Sequence, residues 1–574
     1  MFRLQSTGLT LAYLMAVLSS PWAQPARAEV LTTELASKLL ILHPSHGSYW
    51  DNFTRSWLRS MRPLCGPNPA TNCPPDWEGS TYKPSDYYYW TRGFQWGSFC
   101  EDDMTPEIAR FVEKYVASSG AEVWVSRNLD KNAGDFDYDG YGYPNCSFPL
   151  PKWQTAAKYY LQDRGDIPIS VWNPPLSEGR DEEETDLYAK AYYANYRMLQ
   201  KFPGQDQSSP LVWGHCVSIS IHSNAGTFDT ARGMETYWDT RYSYLQEDAT
   251  RLAGNINSGV VSSIRNLYDG FWADAMYPVG AMPPEWPPDA PYAHDGYAHA
   301  GDSKTCWQDR GLKTKMWTPE ILDAKMPAVL CEVAFHDNWK FYPDHVFMMD
   351  QIWRATVAWG FYEGICHQFN ATPKPHLAAD VVSVNFPVAA APDQTIKGSI
   401  TMRNLGMAWC WGHKFTAATK QYAPYTVWRL QATPADQFVP GAKITLPPDV
   451  IIYPGENVTF DVTLTAPATP GVCTTEWRMV KDDAMGGEFG AIASAQIRNC
   501  SNSVALGDFD TDCDVDADDL ALFVDCAAGP MLSIPEGCAT FDLDGDNDVD
   551  QDDFGIFQRC FSGEGDLPNA ACRE

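Results

Sequence analysis

Apolar positions follow two rhythms before residue 370 and different ones after it. Short apolar or β-rich runs occupy Leu39 to Leu42, Glu122 to Ser126, Val217 to Ile221 and Ala328 to Val333. Between them, Pro106 to Ser119 and Glu184 to Phe202 carry apolar residues at helical spacing. Strands alternating with helices predict an α/β domain over residues 35–370, built on a mostly parallel sheet. Ligands of such sheets sit at the carboxyl ends of the strands. The stretch Ala371 to Ala379, with Pro373 and Pro375, reads as a linker. Over 380–500 the rhythm becomes period two, in Val381 to Phe386, Thr395 to Met402 and Val458 to Leu464, with turns such as Pro454-Gly455. That pattern predicts an all-β sandwich.

Residues 506–572 contain a duplication at a spacing of 34. Asp508-Phe509-Asp510-Thr511-Asp512 returns as Asp542-Leu543-Asp544-Gly545-Asp546. Leu520 matches Phe554, Phe523 matches Phe557, Cys526 matches Cys560 and Cys538 matches Cys572.

Composition changes this picture in three ways. Arg3, the apolar stretch Leu11 to Leu18 and Ala26-Arg27-Ala28 read as a signal peptide over residues 1–28, so the mature chain is expected outside the cytoplasm, secreted or wall-associated. No later run is long and apolar enough to suggest a transmembrane segment, and 16 cysteines suit an oxidising compartment. The net charge of −31 is uneven, because 15 aspartates lie between Asp508 and Asp553. Without a basic stretch to meet phosphates, nucleic acid is excluded as the expected partner.

The first candidate chemistry lies at the ends of two strand runs. Leu42-His43-Pro44-Ser45-His46-Gly47 and Ser220-Ile221-His222-Ser223-Asn224 each place an imidazole just past a buried strand, where it can converge on a metal. On their own, such histidines are more often satisfied structural residues.

In order along some 330 residues, the chain resembles the zinc-dependent N-acetylmuramoyl-L-alanine amidases of the amidase-3 type. His43-Pro44-Ser45-His46-Gly47 stands where that family has Asp-Pro-Gly-His-Gly, which makes His46 the first zinc ligand. The family's second ligand is a glutamate ahead of a helix leading into a strand that ends in Thr-Arg. Counting back from Ser126-Arg127 over Pro106 to Ser119 places it on Glu101. Ser220-Ile221-His222-Ser223-Asn224-Ala225 resembles Ser-Ile-His-Ala-Asn-Ala and gives His222 as the third. The run Pro327 to Asn338 resembles the strand that delivers the catalytic glutamate, here Glu332. Arg310 to Lys313 and Trp359 to Ile365 are further points of likeness.

The resemblance implies a zinc hydrolase cutting the amide between N-acetylmuramic acid and L-alanine in peptidoglycan. The alternatives are an amidase or peptidase of the same fold acting on another extracellular polymer, or an inactive wall- or matrix-binding protein. His43 and Ser45 depart from the family pattern, and an aromatic-rich insert over 48–100 contains Trp57, Trp77, Tyr87 to Trp90 and Trp96. Cys65 and Cys73 are a candidate staple within it. His43 and His215 are the rival ligands, or groups that orient the ligands.

The sandwich segment resembles the immunoglobulin-like domain of autophagy cargo receptors at Met402 to Trp409, Leu464 to Gly471 and Thr475 to Met479. Trp409 and Trp477 are expected in its core, and Cys410 and Cys473 are a candidate disulfide. In the tail, carboxylates recur at loop positions 1, 3, 5, 7, 9 and 12: Asp508, Asp510, Asp512, Asp514, Asp516, Asp519, then Asp542, Asp544, Asp546, Asp548, Asp550, Asp553. Such alternation around a tight loop suits Ca2+. Position 6 calls for a left-handed backbone, which Asn547 tolerates and Cys513 should strain. The tail resembles dockerin calcium repeats, which implies a cohesin-like protein partner.

Overall fold

A computed structural model describes residues 30–44, 48–51, 56–59, 61–63, 98–129, 156–177, 182–224, 233–268, 307–314, 318–335, 348, 351–410, 412–416 and 421–425. Further along it describes 427–448, 450–469, 471–483, 486–499, 506–510, 513–563, 568 and 572. The chain divides into two compact units. One comprises Met1–His376, Leu405–Tyr425 and Pro448–Gly455; the other comprises Leu377–Asn404, Thr426–Pro447 and Glu456–Glu574. Among the described residues no helix is long and apolar enough to cross a membrane.

The first unit is α/β. Its strands are β1 (Leu39–Pro44), β2 (Glu122–Val125), β3 (Cys216–Asn224), β4 (Met234–Tyr237), β5 (Asp309–Lys313) and β6 (Ala328–Phe335). They form one six-stranded sheet in the order β2-β1-β3-β6-β4-β5. All neighbours run parallel except the antiparallel pair β6–β4. The sheet is therefore mostly parallel, as the strand-helix alternation predicts. Every residue of β1 and β6 is buried, which explains why they are apolar apart from His43 and Glu332: both faces need cover. On one face Leu39, Ile41 and Cys216 share a core cluster with Tyr193, Ala194 and Met198 of helix α2 (Glu182–Lys201).

Helix α5 (Gln351–Gln368) packs on both α1 (Glu101–Ser118) and α3 (Gln246–Tyr268), which in turn pack on the strands. A buried ion pair, Arg354 with Glu107, ties α5 to α1. Helix α1 starts five residues earlier than its periodicity suggests, so Pro106 lies inside it and Glu101 is its first residue rather than a residue ahead of it. The proline-bearing stretch after α5 is held in place: Lys374 is buried with its Nζ donating to Ser118 Oγ at 2.6 Å, and His376 stacks on Trp359 at 5.0 Å.

The second unit holds two sheets and a helical tail. Strands β7 (Ala379–Asn385), β9 (Thr395–Asn404) and β12 (Asn457–Thr465) form an antiparallel sheet. Strands β8 (Ala389–Ala390), β10 (Trp428–Ala432), β11 (Lys443–Thr445), β13 (Gly471–Lys481) and β14 (Gly487–Asn499) form the other, in the order β8-β14-β13-β10-β11. Burial alternates strictly along β12, with Val458, Phe460, Val462 and Leu464 inward, as period-two sequence requires. Trp477 on β13 is buried. So is Trp409, which belongs to the first unit with the short pair Trp409–Cys410 and Ile451–Ile452. The expected disulfide between Cys410 and Cys473 is not formed. Cys410 lies on a two-residue strand paired with Ile451, whereas Cys473 lies on β13 opposite Ile497.

The tail keeps its duplication in three dimensions. Helices α6 (Ala517–Cys526) and α7 (Gln551–Cys560) open with the same capping box, Asp516 with Asp519 and Asp550 with Asp553. Each helix ends in a disulfide, Cys526–Cys538 and Cys560–Cys572, both of sequence separation 12. Between them Phe509 stacks on Phe541 at 4.1 Å, with Phe523 and Phe557 alongside. Position 6 of each loop is left-handed, Cys513 at φ 77° and Asn547 at φ 75°.

Glycine decides how closely α3 and α5 approach. A Cβ on Gly360 would lie 2.4 Å from Val260 Cα and 2.6 Å from Gly259 O, so the helices would have to separate. Gly254, on the same α3, faces open space. Gly360→Ala should therefore destabilise the protein by about 1–3 kcal/mol through overpacking. Gly254→Ala should stabilise it by about 0.5–1 kcal/mol through helix propensity. Thermal midpoints of the two variants moving in the same direction would contradict this packing.

Candidate functional site

The site begins with the alternation Ser218-Ile219-Ser220-Ile221-His222 on β3. In a strand, successive side chains take opposite faces, so the serines and His222 share one face and the isoleucines take the other. Register then places neighbours on that face: His43 of β1 opposite Ser220, Glu332 of β6 opposite His222, and Glu235 of β4 opposite Glu332. His222, Glu332 and Glu235 thus form one row across three strands, at the carboxyl ends of β3 and β6. All of these polar residues are buried.

A second carboxylate meets His222 from outside the sheet. Helix α4 (Pro319–Leu322) carries Glu320, whose Oε1 lies 3.2 Å from His222 Nε2. Thr318 Oγ1 donates to the same oxygen at 3.3 Å. Glu320 Oε2 accepts from Ser220 Oγ at 2.9 Å and lies 3.2 Å from Lys190 Nζ of α2. Lys190 also lies 4.0 Å from Asp186, which accepts the Lys158 N–H at 2.8 Å. Burial pushes the Asp186 carboxyl up to about 6, against the opposing pull of Lys190. His43 donates to or accepts from Ser218 Oγ at 3.1 Å through Nε2. Burial pushes its imidazole down to about 3, so His43 is neutral at physiological pH.

Glu235 is saturated with donors. Its Oε1 accepts from Asn224 Nδ2 at 2.8 Å and Tyr237 OH at 2.6 Å, and its Oε2 from Arg310 Nε at 2.9 Å. The Arg310 guanidinium lies over the Phe335 ring, 4.8 Å from its centroid.

The sequence-derived residues divide accordingly. His222 and Glu332 come together, with His43 on the same face. Glu101 is placed as the first residue of α1, following the strand Ser98–Cys100, and its side chain lies outside the described residues. His46 lies outside them, as do Cys65, Cys73, Trp77, Tyr87 to Trp90 and Trp96. Trp57 belongs to the strand Ser56–Arg59, which pairs with Ser48–Asp51. His215 precedes β3 at the amino end, with Nδ1 3.0 Å from Lys38 Nζ, and does not join His222. Glu320, Lys190, Asp186 and Glu235 are absent from the motif reading.

Among the described residues, groups of three acidic or imidazole ligand atoms within 4.8 Å of one another lie only in the tail. In the first loop they are Asp508, Asp510 and Asp519, then Asp514, Asp516 and Asp519. In the second they are Asp542, Asp544 and Asp553, then Asp548, Asp550 and Asp553. Asp512 lies outside the described residues. Asp546 is in none of these groups; its backbone N–H donates to Asp542 and Asp544. Partial desolvation, then the facing carboxylates of Asp546, Asp553 and Asp542, hold the Asp544 carboxyl above its ordinary range.

No protein-family model matches the chain, and no curated protein matches it. Among solved structures it is similar to the N-acetylmuramoyl-L-alanine amidase from Clostridium difficile 630, at 15% identity and a TM-score of 0.26 over 58% of this chain and 97% of that one. The catalytic domain of CwlV, an amidase from Bacillus (Paenibacillus) polymyxa var. colistinus, gives 14% and 0.27 over 58% and 99%. Ami1 from Mycobacterium smegmatis gives 14% and 0.28 over 58% and 98%. At such identities and TM-scores these likenesses carry no functional weight.

Proposed function

We propose that this protein is a metal-dependent amide hydrolase acting on an extracellular polymer, with its centre on the row that contains His222 and Glu332. The observation that carries the reading is the pairing of those two residues, a buried imidazole and a buried carboxylate opposite each other at the carboxyl ends of β3 and β6. A buried carboxylate in an otherwise apolar strand is costly to keep without a task or partner. The motif order adds His46 and Glu101 as the other ligands. Imidazole and carboxylate donors of this kind suit zinc, and a zinc ion held by His46, Glu101 and His222 would polarise the scissile carbonyl and acidify water.

The protein's own residues supply the proton transfers. Glu332 takes a proton from the attacking water and hands it to the departing amine. Glu235 cannot share that task, because three donors already occupy its oxygens. It braces the row beside Glu332 instead. The amide between N-acetylmuramic acid and L-alanine in peptidoglycan is the first substrate to test, and the insert over 48–100 is the reason to test others. In this reading residues 380–500 act as an immunoglobulin-like spacer. The tail is a dockerin-like module that binds Ca2+ and docks to a cohesin-like protein, and the chain is exported.

Metal-replete protein should release peptide stems from purified peptidoglycan or from another amide-linked extracellular polymer. Glu332→Gln should lower that rate by about 10²–10⁴-fold with the fold intact, as expected for loss of a general base. A variant as active as the parent would remove Glu332 from the reaction, and zinc-loaded protein inert on every such amide would sink the hydrolase reading. For the tail, chelation should reduce helicity and expose residues 506–572 to protease, since clustered carboxylates repel without a cation. Identical circular dichroism and digestion patterns with and without Ca2+ would rule calcium out as a structural ligand.

A further inference from the structure

The two acidic loops share their hydrogen bonds at positions 1 and 12 and part company at position 7. At position 1, Asp508 Oδ2 accepts the Cys513 N–H at 3.1 Å, and Asp542 Oδ2 accepts the Asn547 N–H at 3.0 Å. At position 12, Asp519 Oδ1 accepts from the backbone of Phe509 and Asp510, and Asp553 Oδ1 from that of Leu543 and Asp544. Position 7 breaks the symmetry. Asp548 Oδ2 accepts from a neutral donor, the Met531 N–H. Asp514 Oδ2 instead accepts from the Arg498 guanidinium through Nη1. Arg498 comes from the sandwich: it is the penultimate residue of β14, where its backbone N–H donates to Val388 O at 2.8 Å. The Asp514 side chain is 1% exposed and that of Arg498 20%, so the pair is largely shielded from solvent.

We infer that Arg498 is the resident counter-ion of the first loop, so that Ca2+ fills the second loop first and must displace the guanidinium to fill the other. The inference rests on the calcium reading of the tail. That reading fits the second loop on two grounds. Asp548, Asp550 and Asp553 bring oxygens within 4.8 Å of one another, and Asp548 Oδ1 is buried with no hydrogen-bond partner among the described residues. A buried carboxylate oxygen without a donor is costly, and a hard cation supplies what it lacks. In the first loop, Asp514 belongs to the corresponding group with Asp516 and Asp519, and Asp519 is shared with the group of Asp508 and Asp510. A guanidinium bonded to Asp514 therefore stands beside both groups. It balances one carboxylate, and its charge opposes a divalent ion brought to the others. Because β14 carries Arg498, filling the first loop also releases a tie between the tail and the sandwich. By linkage, whatever holds Arg498 on Asp514 weakens Ca2+ at that loop by the same factor.

The test titrates the full chain, stripped of metal, with Ca2+ against a chromophoric chelator. Asp510→Asn and Asp544→Asn, one in each loop, assign the sites. The wild type should bind two Ca2+ with affinities about tenfold or more apart, the weaker lost in Asp510→Asn and the tighter in Asp544→Asn. Arg498→Gln should strengthen the weaker site about tenfold and leave the tighter one unchanged. Weaker-site affinity unchanged or reduced in a folded Arg498→Gln protein overturns the inference, as does a tighter site in the first loop. A second readout needs no variant: modification of Arg498 by phenylglyoxal, followed by mass spectrometry, should accelerate as the weaker site fills. Equal rates before and after filling also overturn the inference. A chain that binds no Ca2+ at either loop sinks the calcium reading and this inference with it, whereas two calcium ions indifferent to Arg498 sink the inference alone.

Discussion

Strand β3 is hydrogen-bonded in parallel on both sides, to β1 and to β6, and its side chains alternate with a period of two. A slip of one residue would turn His222 and the serines to the other face and bring the isoleucines in their place. Apolar burial forbids that slip, because Ile219 and Ile221 are fully enclosed in the face they occupy. Placement of the polar row follows from this single constraint. Glu332 stands opposite His222, and Glu235 opposite Glu332, because the hydrophobic register leaves them no other partner.

Burying charge next to that row has a cost, and the way it is offset explains the elements around it. Moving an ion from water into protein costs several kcal/mol even after relaxation, and Coulomb attraction compensates only when the remaining hydrogen bonds are filled. Glu320 meets that condition with hydroxyls from Thr318 and Ser220 and the Lys190 ammonium. Asp186 lies near the same ammonium and is pushed by burial toward its neutral form, which lowers the charge to be accommodated. His43, deeper still, is held neutral by burial. The polar face therefore carries less net charge than its residue types suggest.

Local signals were readable where chemistry and periodicity coincide. The apolar runs gave the parallel strands, and the strand-end histidine and the lone glutamate in Val329-Leu330-Cys331-Glu332-Val333 gave two members of the row. Glu320 was invisible for a physical reason: Thr318-Pro319-Glu320 has the ordinary look of a helix start, where an acid needs no further explanation. Lys190 and Asp186 lie on α2, where charged residues at helical spacing read as a solvated face until the sheet is seen to cover them. Glu235 became interesting only through an antiparallel neighbour, and strand pairing of that kind is not written in either strand alone. The proposed pairing of Cys410 with Cys473 failed because cysteine proximity depends on which strands adjoin, not on compartment.

Two disulfides of the tail each tie a helix end to the segment that follows it, Cys526 to Cys538 and Cys560 to Cys572. Small covalent rings restrict the unfolded chain, by about 3 kcal/mol for loops near this length in the chain-entropy account. Both lie outside the acidic loops, whereas Cys513, inside the first loop, is disulfide-bonded as well. With both rings closed, any loosening of the tail is confined to short, covalently bounded segments. Recovery of order is then a local search, repeated twice, with the memory of the fold stored in sulfur.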